Sequence, residues 1–315
     1  AVYFSVPLAD RVAHYAAMWS LPLALAAAVL WVVALVRALR RKETSVGGII
    51  LATLVYAAFA GAAGFLGWRA SRLAALLHER WLAEGNILMS GAYAATLVAV
   101  IAAVWLALQV LLRKVFATLS IALGALVAWV AAALLSAWFV PGASYVAAWP
   151  LLGATLAAAA MTGARPDAPI GVIRTSLVLL CSVPAILIVW PLVDALFGSM
   201  GFAPESGAAM AALTALGLGA LILPIEIVTE RRRWWPAGVA FVAALACFAV
   251  AASETRYSDQ HPKPANVVYV LDADKQLASW AVRVNRPDSW FTQFLGPDPK
   301  RGRPPALVPP WSSVD

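Results

Sequence analysis

Long apolar runs separated by short polar stretches fill the first 250 residues of the chain. A helix that crosses a bilayer needs about 20 mostly apolar residues, and eight runs meet this requirement. The sequence therefore predicts an all-α polytopic membrane protein of about eight transmembrane helices. The predicted spans are 17–37, 46–68, 87–112, 115–139, 145–163, 176–197, 208–229 and 236–252.

The pattern changes after residue 253, where a polar linker with two prolines begins. Residues 267–271 and 277–284 are rich in β-forming side chains, and the turn-prone sequence "DADKQ" joins them. This order predicts a β-hairpin. Asp288 then precedes "SWFTQFL" and is placed to cap a short helix.

Three regions are expected from these changes in pattern. Residues 1–16 form an outer-face lead-in from an upstream domain, 17–252 the transmembrane domain, and 253–315 an outer-face tail. A two-stranded hairpin is marginally stable alone in water. The tail is therefore expected to be a truncated β domain, or to dock on the membrane part or on a separate domain.

The composition supports a membrane protein and excludes an ordinary soluble domain. The chain is 63% hydrophobic and 12% charged, whereas soluble domains are about 45–50% apolar and about 25% charged. A net charge of +7 requires no nucleic-acid partner, because basic residues that flank membrane spans orient the chain. The lipid bilayer is the expected partner.

Basic residues are distributed unequally between the two sets of connections. The connections after spans one, three, five and seven carry eleven of them, and those after spans two, four and six carry three. The positive-inside rule therefore predicts that both termini lie on the outer side, periplasmic or lumenal. The excess of Arg over Lys and the abundance of Ala suggest a GC-rich bacterial genome, so a bacterial inner membrane with both termini on the periplasmic side is expected. The eleven are Arg37, Arg40, Arg41, Lys42, Arg113, Lys114, Arg165, Arg174, Arg231, Arg232 and Arg233; the three are Arg69, Arg72 and Arg80.

Two acidic residues fall inside predicted spans and are candidate functional residues. Asp194 lies near the outer end of span six and Glu226 near the inner end of span seven. An intramembrane acid marks a functional site by default, but a side chain this close to a boundary also reaches water. Pro184, Pro191 and Pro224 predict kinks in these two spans, and broken helices build sites in transporters.

Small residues and one amphipathic stretch complete the membrane region. Gly61, Gly64 and Gly67 have a spacing that suits close helix packing, although such spacings also arise by chance in an Ala-rich chain. Residues 69–86 interleave leucines with charged residues, which predicts an interfacial helix on the outer face.

The sequence carries no recognisable catalytic motif. A zinc hydrolase needs two or three His, Asp or Glu ligands and a carboxylate base in one pocket. His14, His78 and His261 occur singly, in neither H-x-D nor H-E-x-x-H. Nucleophile-elbow, phosphate-loop and dinucleotide-binding motifs are also missing. No catalytic, metal-binding or cofactor-binding residue is therefore predicted.

Three stretches nevertheless carry a family resemblance. The order "AVYFSV", eight spans, "NVVYVLDADKQLASWAV" and "RPDSWFTQFLG" resembles the C-terminal membrane half of the endoplasmic-reticulum metallopeptidase and vacuolar membrane protease group, zinc exopeptidases with bacterial relatives. The resemblance implies an aminopeptidase domain with two zinc ions upstream on the lumenal side and a β domain after the spans. The zinc ligands would belong to that upstream domain, so no catalytic residue transfers to this chain.

The resemblance implies the membrane-embedded region of a zinc-dependent exopeptidase-type protein, which anchors a peptidase domain supplied upstream or in trans. The chain would then be part of a hydrolase without a catalytic site of its own. The alternative is a small-solute transporter, which the predicted kinks favour. A third hypothesis is a free-standing assembly or sensor protein with a periplasmic hairpin.

Overall fold

The computed structural model describes residues 2–8, 11–77, 90–163, 171–200, 204–229, 234–253, 267–272 and 277–282. In these ranges the chain forms a helical membrane domain with a strand pair on either side of it in sequence. The helices are α1 (Ser20–Arg40), α2 (Val46–Leu77), α3 (Ser90–Leu112), α4 (Thr118–Phe139), α5 (Tyr145–Met161), α6 (Val172–Met200), α7 (Pro204–Ala220), α8 (Ile222–Thr229) and α9 (Trp235–Ser253). The strands are β1 (Val2–Leu8), β2 (Arg11–Ala16), β3 (Val267–Asp272) and β4 (Leu277–Val282).

Six of the described helices are long and apolar enough to cross a membrane, namely α1, α2, α3, α4, α6 and α9. The pair α7 and α8 passes the same test together but is bent by 62°. The predicted all-α helical class is confirmed, and these long apolar helices are consistent with a membrane protein. The predicted count of eight is higher than the six candidate spans in the described residues, or seven if the bent pair is one span. The difference lies in predicted span seven, which is broken, and in span five, which is short.

Helix α5 is the short apolar helix, with 17 residues. At 1.5 Å per residue it is about 25 Å long, a little less than a typical hydrocarbon core. It contains Pro150 and ends at Met161, and the next residue, Thr162, has an extended backbone. Gly163 follows with a φ of 83°, a left-handed conformation that favours glycine and stops the helix.

Helix α4 lies at the centre of the bundle. It contacts α1, α2, α5, α7 and α8, and it has the highest buried fraction of the six long helices. Trp31 on α1 donates its indole N–H to the carbonyl of Leu123 at 3.1 Å, and the Thr53 hydroxyl on α2 donates to the carbonyl of Gly124 at 3.1 Å. The apolar sequence of α4 is therefore buried against protein on most of its surface.

Helix α2 is longer than the span predicted for it. It continues without a break to Leu77, so the first half of the predicted interfacial helix 69–86 is the end of a membrane helix instead. Ala74 is buried, and Arg69 and Arg72 lie over the ring of Trp68 at 4.9 and 4.7 Å from its centroid. Cation–π contacts let basic side chains remain on a helix that continues past the apolar core. Residues 78–86 lie outside the described part.

Both strand pairs are antiparallel hairpins. In the C-terminal pair Val267 is opposite Val282 and Asp272 is opposite Leu277. The N-terminal pair has Leu8 opposite Arg11 and falls in residues 1–16, for which the sequence predicted only a lead-in. The short helix predicted after Asp288 lies outside the described residues.

Candidate functional site

The break between α7 and α8 exposes backbone groups inside the helical domain. At the break the N–H of Leu221 is shared between the carbonyls of Gly217 and Leu218, both at 3.2 Å. Pro224 has no N–H, so it cannot close the usual helical bond to the carbonyl four residues earlier. An unpaired backbone group inside a bilayer costs several kcal/mol. The break therefore needs partners from other helices.

Two aromatic side chains supply hydrogen bonds on the α7 side of the break. The Tyr56 hydroxyl on α2 donates to the carbonyls of Ala215 at 3.0 Å and Leu216 at 3.2 Å. The indole N–H of Trp129 on α4 donates to the same Leu216 carbonyl at 2.9 Å. Both side chains are buried, at 1% and 2% exposure. A Cβ at Gly219 would lie 2.5 Å from Cζ of Tyr56, so the ring reaches the break only because that position is glycine.

The α8 side of the break is contacted from α3. The Gln109 side chain is 1% exposed, and its amide Nε2 donates to the carbonyl of Ile222 at 3.4 Å. Trp105 lies one turn earlier on α3, fully buried, with its ring 5.3 Å from that of Tyr56 and 4.8 Å from that of Phe59. Trp105 Nε1 and Gln109 Oε1 have no hydrogen-bond partner among the described residues.

An ion pair follows directly after the end of α3. Arg113 is four residues after Gln109, and its N–H still bonds the Gln109 carbonyl at 3.1 Å. Its guanidinium Nη2 pairs with Oε2 of Glu226 on α8. The two side chains are only 4% and 19% exposed. We call Tyr56, Trp105, Gln109, Trp129, Arg113 and Glu226 the polar seam, because together they follow the broken helix.

The two acids singled out from the sequence have different surroundings. From the sequence, the Glu226 side chain was expected to reach water at the nearby boundary. In the structure its carboxylate instead pairs with the Arg113 guanidinium. Asp194 lies on α6 with an exposed side chain and forms no ion pair with any residue that the structure describes. The predicted kinks also differ. Helix α6 is continuous through Pro184 and Pro191, whereas the chain breaks just before Pro224.

Most of the polar seam was not predicted from the sequence. Tyr56 and Gln109 each stand in a strongly apolar run, and that isolation was the available signal. From the sequence, Arg113 was considered only as one of the basic residues that set the orientation of the chain in the membrane. The polar seam donates hydrogen bonds to backbone carbonyls and contains one ion pair, and it leaves the Trp105 Nε1 donor and the Gln109 Oε1 acceptor without a partner among the described residues. No group of three or more His, Cys, Asp and Glu side chains placed to hold a metal ion occurs within the described ranges.

Comparison of the chain with protein-family models, with curated proteins and with solved structures gave no match.

Proposed function

We propose that this chain is the membrane-embedded region of a zinc-dependent exopeptidase-type protein and that it anchors a peptidase domain supplied upstream or in trans. The observation that carries the proposal is that β-hairpins flank the helical domain in sequence, β1–β2 before α1 and β3–β4 after α9. Two-stranded hairpins need further packing to be stable. Each is therefore suited to continue into, or dock on, a domain outside the membrane.

The position of the first hairpin supports an outer-face location. Strand β1 contacts the turn Pro141–Ala143 between α4 and α5. The opposite end of the bundle carries the basic connections. There the Thr44 and Ser120 hydroxyls bond at 2.5 Å, and the Gly163 N–H donates to Oε1 of Glu43 at 2.6 Å. By the positive-inside rule this basic end is cytoplasmic and the hairpin end is periplasmic.

Two observations support eight crossings despite the lower count of long helices. Helix α5 begins at the hairpin end, after the turn Pro141–Ala143, and finishes beside Glu43 at the basic end. The broken pair also reaches both ends, since Gly207 packs on the C-terminal half of α2 and Glu226 pairs with Arg113. A short helix and a broken one then each serve as a crossing, and both termini lie on the same side.

Reporter fusions test this topology. A periplasm-active alkaline phosphatase fused after Phe139 or after Ser253 is expected to be active, and one fused after Thr162 inactive. The difference in reporter activity between the fusions after Phe139 and after Thr162 shows whether α5 crosses the membrane. Equal activity of the first and third fusions would mean that α5 does not cross, and it would move the tail to the cytoplasm.

The anchoring function is tested in cells that carry the native gene, with an affinity tag at the C-terminus. Mild-detergent extracts are purified on the tag and assayed with an aminoacyl p-nitroanilide. Aminopeptidase activity that co-purifies and is abolished by 1,10-phenanthroline, then restored by zinc, is the expected result. A homogeneous preparation of the tagged protein without such activity contradicts the proposal.

A transporter is the second candidate, and the polar seam is the observation that favours it. Transport sites are often built where broken helices expose backbone groups near the bilayer midplane. The open donor on Trp105 and the open acceptor on Gln109 lie beside such a break.

Proteoliposomes with radiolabelled amino acids, dipeptides and sugars separate the two functions. Saturable uptake by the unaltered protein would establish transport. Its loss when Asp194→Asn is combined with Arg113→Gln and Glu226→Gln, which together leave no buried charge of the ion pair, would assign the acids a role in it. If the chain only anchors a peptidase domain, the unaltered protein is expected to show no more uptake than protein-free vesicles.

A further inference from the structure

A groove open to the lipid side lies between α1, α2 and α4 and has a volume of about 340 Å³. Trp31, Leu35 and Leu39 line it at intervals of four residues, so they form one face of α1. Ile50 and Leu54 of α2 face them and are 56% and 60% exposed. The volume is at the lower end of the about 300–1,000 Å³ typical of small-molecule sites. It therefore suits a slender ligand.

The lining of this groove is chemically apolar. Its two polar side chains are Trp31 and Thr53, and both already have partners. The Trp31 indole donates to the Leu123 carbonyl, and the Thr53 hydroxyl is within 2.9 Å of the Ile49 carbonyl and 3.1 Å of the Gly124 carbonyl. A ligand in the groove gains nothing by offering a hydrogen bond there. The matching chemistry is a hydrocarbon chain.

Positive charge is concentrated at one end of the groove. Leu39 and Val46 line that end, and the basic residues lie on the last turn of α1 and in the connection to α2. This connection is held in place, because Glu43 accepts a hydrogen bond from the Gly163 N–H and Thr44 bonds Ser120. All four basic residues are exposed: Arg37, Arg40, Arg41 and Lys42.

We propose that this groove binds one acyl chain of an anionic phospholipid, with the lipid phosphate held by the basic α1–α2 connection. The two features occur in the order that a phospholipid requires, an apolar slot followed by positive charge. Basic clusters next to membrane helices attract anionic headgroups. A rigid connection holds those charges at the end of the slot, which distinguishes a specific site from the general lipid shell.

Native mass spectrometry of the full chain, with phosphatidylglycerol or phosphatidylcholine added to the detergent micelles, tests the proposal. One phosphatidylglycerol molecule is expected to bind with a distinct affinity that phosphatidylcholine does not reach. Combining Arg40→Gln with Lys42→Gln is expected to weaken binding about 25-fold, or about fivefold for each charge. Lys114→Gln, an exposed basic residue of another connection, is the control and leaves binding unchanged.

The acyl part of the site is tested separately by filling the groove. Ile50→Trp is expected to abolish the bound phosphatidylglycerol, whereas Leu51→Trp, on the same helix but outside the lining, keeps it. Both positions are at the lipid-facing surface, at 56% and 48% exposure, so both variants are expected to fold. Glycerol phosphate alone, at concentrations where the lipid saturates, is expected not to bind. Equal binding by the two tryptophan variants, or equal affinity for the two lipids, would refute the site.

Discussion

Glu226→Gln is expected to destabilise the helical domain by about 3–5 kcal/mol, the typical cost of removing one partner from a buried ion pair. The Arg113 side chain is only 4% exposed, so the variant leaves an uncompensated charge between α3 and α8. The low dielectric of a membrane bundle makes such a charge costly. Arg113→Gln is expected to have an effect of similar size, because it leaves Glu226 unpaired.

A double-mutant cycle shows whether the pair itself is responsible. The free energy of unfolding is measured for both single variants and for the combination of Arg113→Gln with Glu226→Gln, by reversible unfolding in mixed micelles with dodecyl sulfate. The double variant is expected to lose clearly less than the sum of the two, since no charge remains buried. Lys114→Gln is the control, exposed and adjacent in sequence, and should change stability by less than about 0.5 kcal/mol. A Glu226→Gln variant as stable as that control would show that the pair is absent.

The same measurement affects the choice between the two functions. A pair that only joins α8 to α3 can be replaced by two neutral residues with a modest loss of stability. A transporter that uses Glu226 as an ion-binding or proton-binding group would lose uptake in the stable double variant. Stability and uptake therefore separate a structural role from a functional one at this residue.

The membrane class could be predicted from the sequence because each long span carries its own signal. An apolar run of 20 or more residues is sufficient, whatever the rest of the chain does. The length of α2 and the short α5 were harder to predict, since both depend on packing. Arg69 and Arg72 marked the end of span two in sequence, yet they stack on Trp68 and the helix continues.

Most of the polar seam could not be predicted from the sequence, because Tyr56, Gln109 and Trp129 bond backbone carbonyls of residues distant in the chain. The Tyr56 hydroxyl bonds a carbonyl 159 residues away in the chain. Every residue has a backbone carbonyl, so the residue type at the accepting position does not reveal the contact. The break itself had a local signal in Pro224, but Pro184 and Pro191 gave the same signal in a helix that remains continuous. Proline becomes informative only when the neighbouring helices are known.

Gly67→Ala is the second variant with a large expected effect, and it acts through helix packing. The Gly67 and Gly207 backbones are in direct contact where α2 crosses α7, so a methyl group at position 67 would overlap the Gly207 carbonyl and lie 2.7 Å from Cβ of Ala211. The obstructing atoms are mostly backbone, which cannot rotate away. Overpacking of this kind costs about 1–3 kcal/mol or more.

The matched control is Gly61→Ala on the same helix, where nothing lies within 4 Å of the added methyl group. Alanine is the better helix former by about 0.5–1 kcal/mol, so this variant is expected to be neutral or slightly stabilising. Gly64 is intermediate, with the Ala208 carbonyl in ordinary contact at 3.9 Å. Thus the three glycines have an equivalent spacing in the sequence, but the structure gives only Gly67 a packing requirement. Unfolding in mixed micelles of the two alanine variants checks this, and equal stability would mean that α2 and α7 do not approach as closely as described.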